Sequence, residues 1–316
     1  MTDFLENLSF SLSVTGPILV ILILGVVLRR IGILTDAFVQ AGSRLVFNVA
    51  LPTLLFISIS TTDFDQAANA GLILYGVLAT LVVFVLAEWM ASKTVHPPED
   101  RGVVVQGAFR SNMGIIGLAY CVNAYGDAGL VAASLYLGLV TIVFNILAVI
   151  TLNRALSKRR GLGDILRGIV TNPLIIGIVL ALPVSYFELR LPAIALQSGR
   201  YFAEMTLPLA LLCTGASLNF ASLRDELSNT LQASVLKLIA VPVLITTGGM
   251  LLGFRGIELG VLFLMSAAPT AAASYVMVRA MNGNAVLAAN IIALTTLGSI
   301  VATSAGITVL RTSGLM

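Results

Sequence analysis

The sequence predicts an all-α integral membrane protein of about ten transmembrane helices, built as two inverted five-helix repeats. Three observations carry this expectation. The first is composition: of 316 residues, 58% are hydrophobic and 10% charged, with a mean hydropathy of +1.01. A soluble domain carries about 25% charged residues; this chain has too few to cover a globular surface, and a bilayer suits it. The second is the recurrence of apolar stretches long enough to cross a membrane. The third is an internal repeat at a single offset.

Taken in order, apolar spans run over 10–29, 45–60, 70–91, 102–124, 128–151, 165–187, 201–219, 229–253, 256–279 and 285–310. Most hold about 20 residues, the length a helix needs to cross the hydrocarbon core. The spans at 45–60 and 201–219 are short, and their upstream residues "TDAFVQAGSR" and "PAIALQSGR" are expected to extend them. Asp63, Asp65, Pro97, Pro98, "YGD" and "MNGN" mark the connections, and no linker is long enough for a separate soluble domain.

Lysine and arginine placement sets the orientation. With the N-terminus outside, inner loops and span ends hold twelve basic residues: Arg29, Arg30, Arg44, Lys93, Arg101, Arg154, Lys158, Arg159, Arg160, Arg167, Arg224 and Arg279. The outer side holds four, namely Arg190, Arg200, Arg255 and Arg311. Both termini are therefore expected outside a cell (inner) membrane. On this reading the 61–68 loop is external and the 155–163 loop internal. The opening "MTDFLENLSF" has no Lys or Arg, so no secretory signal peptide is expected. Basic residues flank spans and do not interleave with aromatics, which excludes a nucleic-acid surface.

The repeat aligns "TGPILVI" at 15–21 with "TNPLIIG" at 171–177, and "SRLVFNVALP" at 43–52 with "GRYFAEMTLP" at 199–208, both at an offset of 156. "YGDAGLVAA" at 125–133 aligns with "NGNAVLAAN" at 282–290 at 157. The halves are 1–156 and 157–316. Each holds five spans, an odd number, so the second enters the membrane from the opposite side. Inverted halves of this kind are an architecture of secondary transporters.

At the same offset "FRSNMGIIGLAY", 109–120, falls on "SAAPTAAASYVM", 266–277. These are the fourth spans of their halves, one interrupted by Gly114 and Gly117, the other by Pro269. Interrupted spans in matching positions point to a binding site, because a broken helix exposes backbone N–H and C=O groups at mid-membrane. Arg110 and Asn112 lie in the first break, with Thr270 beside Pro269. Asn112 is a ligand contact or an interhelical hydrogen bond. Arg110 neutralises an anionic substrate, pairs with an acid such as Glu88, or snorkels. Lys237, the other cation within a span, has a coupling role, sits in a structural pair or snorkels, and Glu204 is either its partner or lies near the outer interface. Asn48, one turn before Pro52, is a further pocket candidate, whereas Tyr275 reads as bundle packing. Pro52 and Pro208 are expected to kink their helices.

Cys121 and Cys213 lie in apolar spans and read as buried free thiols; His96 lies in a loop. Neither a disulfide framework nor metal-ligand spacing is present, and no cofactor is expected. The enzyme motifs H-E-x-x-H and G-x-S-x-G are absent, so an intramembrane enzyme is disfavoured. A channel is a further, weaker alternative.

The segments "RGIVTNPLIIGIVLAL", "LPLALLCTGASL", "NMGIIGLAYCVNAYGD", "IVFNIL" and "SAAPTAAASYV" resemble the auxin efflux carrier family, which includes plant PIN proteins and bacterial organic-acid permeases. The resemblance spans nearly the whole chain and looks like a bacterial-type member. It implies the fold of sodium–proton antiporters and bile-acid symporters, with crossing broken helices four and nine. It further implies a scaffold of the first, second, sixth and seventh spans, and a core of the third to fifth and eighth to tenth that moves against it. By position, Asn112 matches the family's crossover asparagine, Gly117 the glycine five residues on, Asn145 a pocket-facing asparagine and Pro269 the second crossover proline. The first crossover proline of plant members falls on Ala119. The implied function is alternating-access transport of small organic anions or carboxylates. The alternative is a sodium- or proton-coupled carrier of the bile-acid-symporter type. The implied partners are that anion, membrane lipid, and a second copy docked through scaffold helices.

Overall fold

The computed structural model describes residues 2–61, 70–156, 170–218 and 226–316. Most of the 61–68 loop and of the 155–163 loop, with Lys158, Arg159, Arg160, Arg167 and Arg224, lies outside the described residues. Among the described residues the structure is helical. Its elements are α1 (Thr2–Arg30), α2 (Asp36–Ser60), α3 (Ala70–Thr94), α4 (Arg101–Phe109), α5 (Met113–Ala155), α6 (Pro173–Tyr186), α7 (Ala193–Ser217), α8 (Leu227–Leu251), α9 (Gly256–Ala267), α10 (Ala273–Ala280) and α11 (Ala285–Thr312). Six of these stretches are long and apolar enough to cross a membrane, and α6 and α9 are shorter apolar helices. The chain is thus a multi-pass membrane protein.

Local chemistry explains where the helices begin and bend. Thr35 caps α2 by accepting from the Phe38 N–H at 3.2 Å, with Asp36 in the first turn. Asn172 caps α6 by accepting from the Leu174 N–H at 3.0 Å, with Pro173 at the first helical position. The upstream residues of the short second and seventh spans are helical, as their sequences suggested. Within α2 a π-turn, Val46–Ala50, immediately precedes Leu51-Pro52. α8 repeats the device: its π-turn, Leu236–Ala240, precedes Val241-Pro242. Proline lacks an N–H and crowds the carbonyl four residues back, so the preceding turn widens. In α8 that widened turn carries Lys237. The 43 residues of α5 are no single straight span, because Gly126 sits at φ 60°, ψ −140° inside it. That conformation is open to glycine and strained for other residues.

Close backbone approaches fix the packing. Gly215 of α7 lies against the Leu22 backbone of α1, and Gly25 of α1 faces the backbone of Leu212 and Ala216. Gly177 of α6 meets Pro52 of α2, where an added Cβ would stand 2.7 Å from the Pro52 carbonyl. Small residues at such crossings let helices pack without a hydrophobic drive between them. A polar ladder joins α1 to α11: Asn7 donates to Thr312 at 3.1 Å, Thr308 to Ser11 at 3.2 Å, and Thr15 and Ser304 share a bond of 2.8 Å. The rungs are spaced one turn apart on both helices.

Candidate functional site

Two helices stop inside the structure and meet. α4 ends at Phe109 because Arg110 adopts extended angles, φ −84° and ψ 94°, and the chain restarts with a π-turn at Met113–Gly117. α9 ends at Ala267 because Ala268, the residue before Pro269, turns to φ −57° and ψ 143°; the chain restarts at Ala273. The two interruptions run antiparallel and pair through a bridge between Ser111 and Thr270. The Asn112 N–H donates to the Pro269 carbonyl at 2.7 Å, and the Ala271 N–H donates to the Arg110 carbonyl at 2.9 Å. Side chains satisfy more of the freed backbone. Thr295 Oγ1 accepts from the Thr270 N–H at 3.1 Å, and Thr270 Oγ1 donates to the Gly107 carbonyl at 2.6 Å. The Asn112 carbonyl accepts from the Gly117 N–H at 3.0 Å. Each bond answers a demand that the bilayer interior, lacking water, would leave unmet.

On one side of this crossing an open cavity of about 1240 Å³ reaches the end of the molecule where α1 finishes. One wall comes from α1, α2, α6 and α7 and includes Arg29, Ser43, Arg44, Asn48 and Asn172. The facing wall comes from α5, α10 and α11 and includes Asn145, Tyr275 and Met277, with Arg110 on the same side. Among the described residues three arginines line the cavity and no carboxylate does. Arg29 is neutralised at the mouth by Asp36, at 2.6 Å, and also donates to the Ala216 carbonyl at 2.6 Å. Arg44 is exposed and has no ion-pair partner among the described residues.

Arg110 is 7% exposed. Its guanidinium donates to Asn145 Oδ1 at 2.7 Å and to the Met277 thioether at 2.9 Å. Gln106 donates to the same sulfur at 3.3 Å. Both acceptors are neutral, and a thioether is a weak one. Arg110 does not pair with Glu88, which instead accepts from Thr151 Oγ1 and lies 3.8 Å from Arg154.

The structure separates the other sequence candidates. Asn145 and Asn48 line the cavity; Asn48 also donates to the Arg44 carbonyl at 2.9 Å. Asn112, 7% exposed, is outside the lining and acts on the crossing through its backbone. Pro269 and Thr270 form the second break, and Thr270 is buried. Gly117 packs against α9: a Cβ there would meet Met265 Sδ at 2.9 Å. Gly114 faces Leu51 of α2, with 3.2 Å for a Cβ. Lys237 is 0% exposed and points at the crossing, where it donates to Ser111 Oγ and to the Ser266 carbonyl. Glu204 is exposed on α7, and among the described residues no ion pair joins it to Lys237, which corrects the first of the two places expected for it.

Four lining residues escape a reading of the sequence as site residues. Arg29 and Arg44 register there only as orientation charges, and Tyr275 as packing. Asn172 sits in the repeated T-x-P motif, which marks it as a cap without showing that the cap faces the cavity.

Residues 13–307 match the model of a family described as membrane transport protein. Curated relatives include an uncharacterized transporter of Methanothermobacter thermautotrophicus, 26% identical over 264 residues, which cover 80% of this chain and 83% of that one. Another uncharacterized transporter, of Methanocaldococcus jannaschii, is 24% identical over 263 residues, covering 80% and 84%.

Proposed function

The chain belongs to the membrane transport protein family, the auxin efflux carrier-like group its motifs resemble, and from that premise we propose a secondary carrier that moves small organic anions by alternating access. One observation carries this reading. Arg110 faces a cavity that no carboxylate lines among the described residues, and its guanidinium rests on two neutral acceptors, Asn145 Oδ1 and Met277 Sδ. A substrate carboxylate is a better partner for that planar fork than an amide and a thioether. Charge-assisted hydrogen bonds contribute about 1.5–3 kcal/mol. The amide and thioether would then turn to other donors at the cavity edge. Arg44 adds positive potential nearer the mouth and draws anions inward.

The proposed architecture is ten helices in inverted halves, 1–156 and 157–316. In the carrier cycle the core, α3–α5 with α8–α11, moves against the scaffold, α1, α2, α6 and α7. The cavity between them supports this division, since its walls come from both sets. In this conformation the α1–α11 ladder holds core and scaffold together some four turns of α1 away from Arg29. Opening at that end requires the ladder to release or to slip by one turn. Under the positive-inside orientation both termini lie outside an inner membrane and the cavity opens inward. We also propose a homodimer through scaffold helices, with lipid around it; native mass measurement in mild detergents that yields only monomer would remove this proposal.

The test of the substrate class is a thermal-shift screen of the purified protein against mono- and dicarboxylates. A ligand of the folded state raises the unfolding midpoint by mass action. Stabilisation by carboxylates, and not by matching amides or amines, is the expected result.

A further inference from the structure

Lys237 presents a different problem from Arg110. Its ammonium is fully buried, inside the widened turn of α8, and no carboxylate is bonded to it among the described residues. An uncompensated buried charge is costly, at membrane depth above all. What faces it instead is a small set of neutral oxygens. Ser111 Oγ comes from the first break, and the Ser266 carbonyl from the last turn of α9 at 2.8 Å. The serine hydroxyl is itself 3.4 Å from that carbonyl. The Ser266 carbonyl is free to serve because the residue four places on, Thr270, gives its N–H to Thr295 instead. The Ser266 hydroxyl is turned back to the Phe263 carbonyl at 2.9 Å, leaving the backbone oxygen as the ligand. α9 also directs the negative end of its dipole at this point.

Hydroxyl and carbonyl oxygens gathered from two interrupted helices, at a half-helix C-terminus, form the environment in which carriers hold a sodium ion. Here a covalently attached ammonium stands in that environment. We propose that Lys237 is a tethered monovalent cation: it occupies an alkali-ion site at the crossing and makes that site independent of sodium or potassium. The charge cannot leave with the substrate, so no alkali ion is co-transported through this position. It also follows that the protein carries a latent cation site, which is vacated when the side chain is shortened. Ser111 and Ser266 would then bind Na⁺ or a small alkylammonium ion. This inference does not depend on the identity of the transported anion.

The experiment measures thermal unfolding of the purified full-length protein in NaCl, KCl, ethylammonium chloride and choline chloride at one ionic strength. The parent should unfold at the same temperature in all four. Lys237→Ala should unfold lower than the parent in choline, and several degrees higher in Na⁺ or ethylammonium than in choline. Selective stabilisation of the parent by Na⁺ or K⁺ overturns the proposal, as does a Lys237→Ala protein indifferent to the cation. Lys237→Met keeps the length of the side chain and removes the charge, which covers the case in which the alanine variant does not fold. A methionine variant that is as monodisperse and as stable as the parent overturns the proposal; loss of folded protein supports the need for a cation at this point.

Discussion

Arg110 and Lys237 both meet the same crossing, and the contrast between them shows how one backbone motif holds two cations in different surroundings. Arg110 lies beside the cavity and donates to an amide and a thioether, partners that a stronger acceptor displaces. Lys237 is sealed in the core and donates to a hydroxyl and a helix-end carbonyl. The two cations converge on one break, since Lys237 bonds Ser111, the residue after Arg110. Burial and access, more than residue type, decide whether an intramembrane charge serves the fold or the ligand.

The largest effect expected from breaking this comparison is at Lys237. Lys237→Met should cost more than Arg110→Gln or any single rung of the α1–α11 ladder, about 1–3 kcal/mol, the cost of leaving a buried acceptor without its donor. It would be read as loss of monodisperse protein or a lower unfolding midpoint. Arg110→Gln should do the reverse. Its folding should stay within about 1 kcal/mol of the parent, because Asn145 and Met277 line a cavity open to water, while anion affinity falls about 10- to 100-fold, the equivalent of one charge-assisted bond. Unfolding of Arg110→Gln comparable to that of Lys237→Met would erase the distinction.

Much of this frame is legible in the chain, and the illegible part has a physical cause. The proline of "SAAPT" marks the second interruption; the first falls at Arg110–Asn112, ahead of Gly114 and Gly117, which lie in the π-turn that follows and serve packing against Leu51 and Met265 instead of the break. Lys237 is visible as an anomaly, yet the sequence offers only an acid, Glu204, as a candidate partner, with a place near the outer interface as the alternative for that acid. Its actual partners are a serine hydroxyl and a backbone carbonyl, and a carbonyl leaves no trace in the sequence. Arg29 and Arg44 resemble any other charges that flank a span; the convergence of α1, α2 and α7 makes them walls of a cavity. Met277 carries no signal at all as an acceptor. The ladder is legible in principle, since Asn7, Ser11 and Thr15 recur every four residues, as do Ser304, Thr308 and Thr312.

Smaller effects sharpen the picture. Replacing the ladder with Ser11→Ala, Thr15→Val and Asn7→Leu should cost about 0.6 kcal/mol per rung, the average for interhelical hydrogen bonds in a membrane protein. It should also favour opening at that end, detected as faster modification of a cysteine placed at Ser304. Unchanged modification would mean that the ladder does not close the carrier. Asn112→Ala keeps the backbone bonds to Pro269 and Gly117. It should therefore leave the midpoint nearly unchanged and weaken anion binding by no more than about 1 kcal/mol, less than Arg110→Gln in the same titration.

The smallest effect concerns a buried acid away from the crossing. Asp100, in the turn before α4, has its carboxyl pKa raised, chiefly by burial, with Glu226 and Glu99 adding to the shift while bonds from Asn284 and Asn229 oppose it. A carboxyl whose folded pKa lies above its unfolded value stabilises the fold below the unfolded pKa and loses that contribution as pH rises through the folded one. Asp100→Asn should thus raise the unfolding midpoint slightly near neutral pH and leave it unchanged near pH 4. A variant less stable than the parent at neutral pH would contradict this sign.

The central claim is that Arg110 is the charge a transported anion meets. It is tested most directly by titrating parent and Arg110→Gln proteins, side by side, with short mono- and dicarboxylates and with their uncharged amides, following the unfolding midpoint. The account predicts that at least one carboxylate stabilises the parent with increasing concentration, that its amide does not, and that the response is lost in Arg110→Gln. Equal carboxylate responses in the two proteins would contradict it.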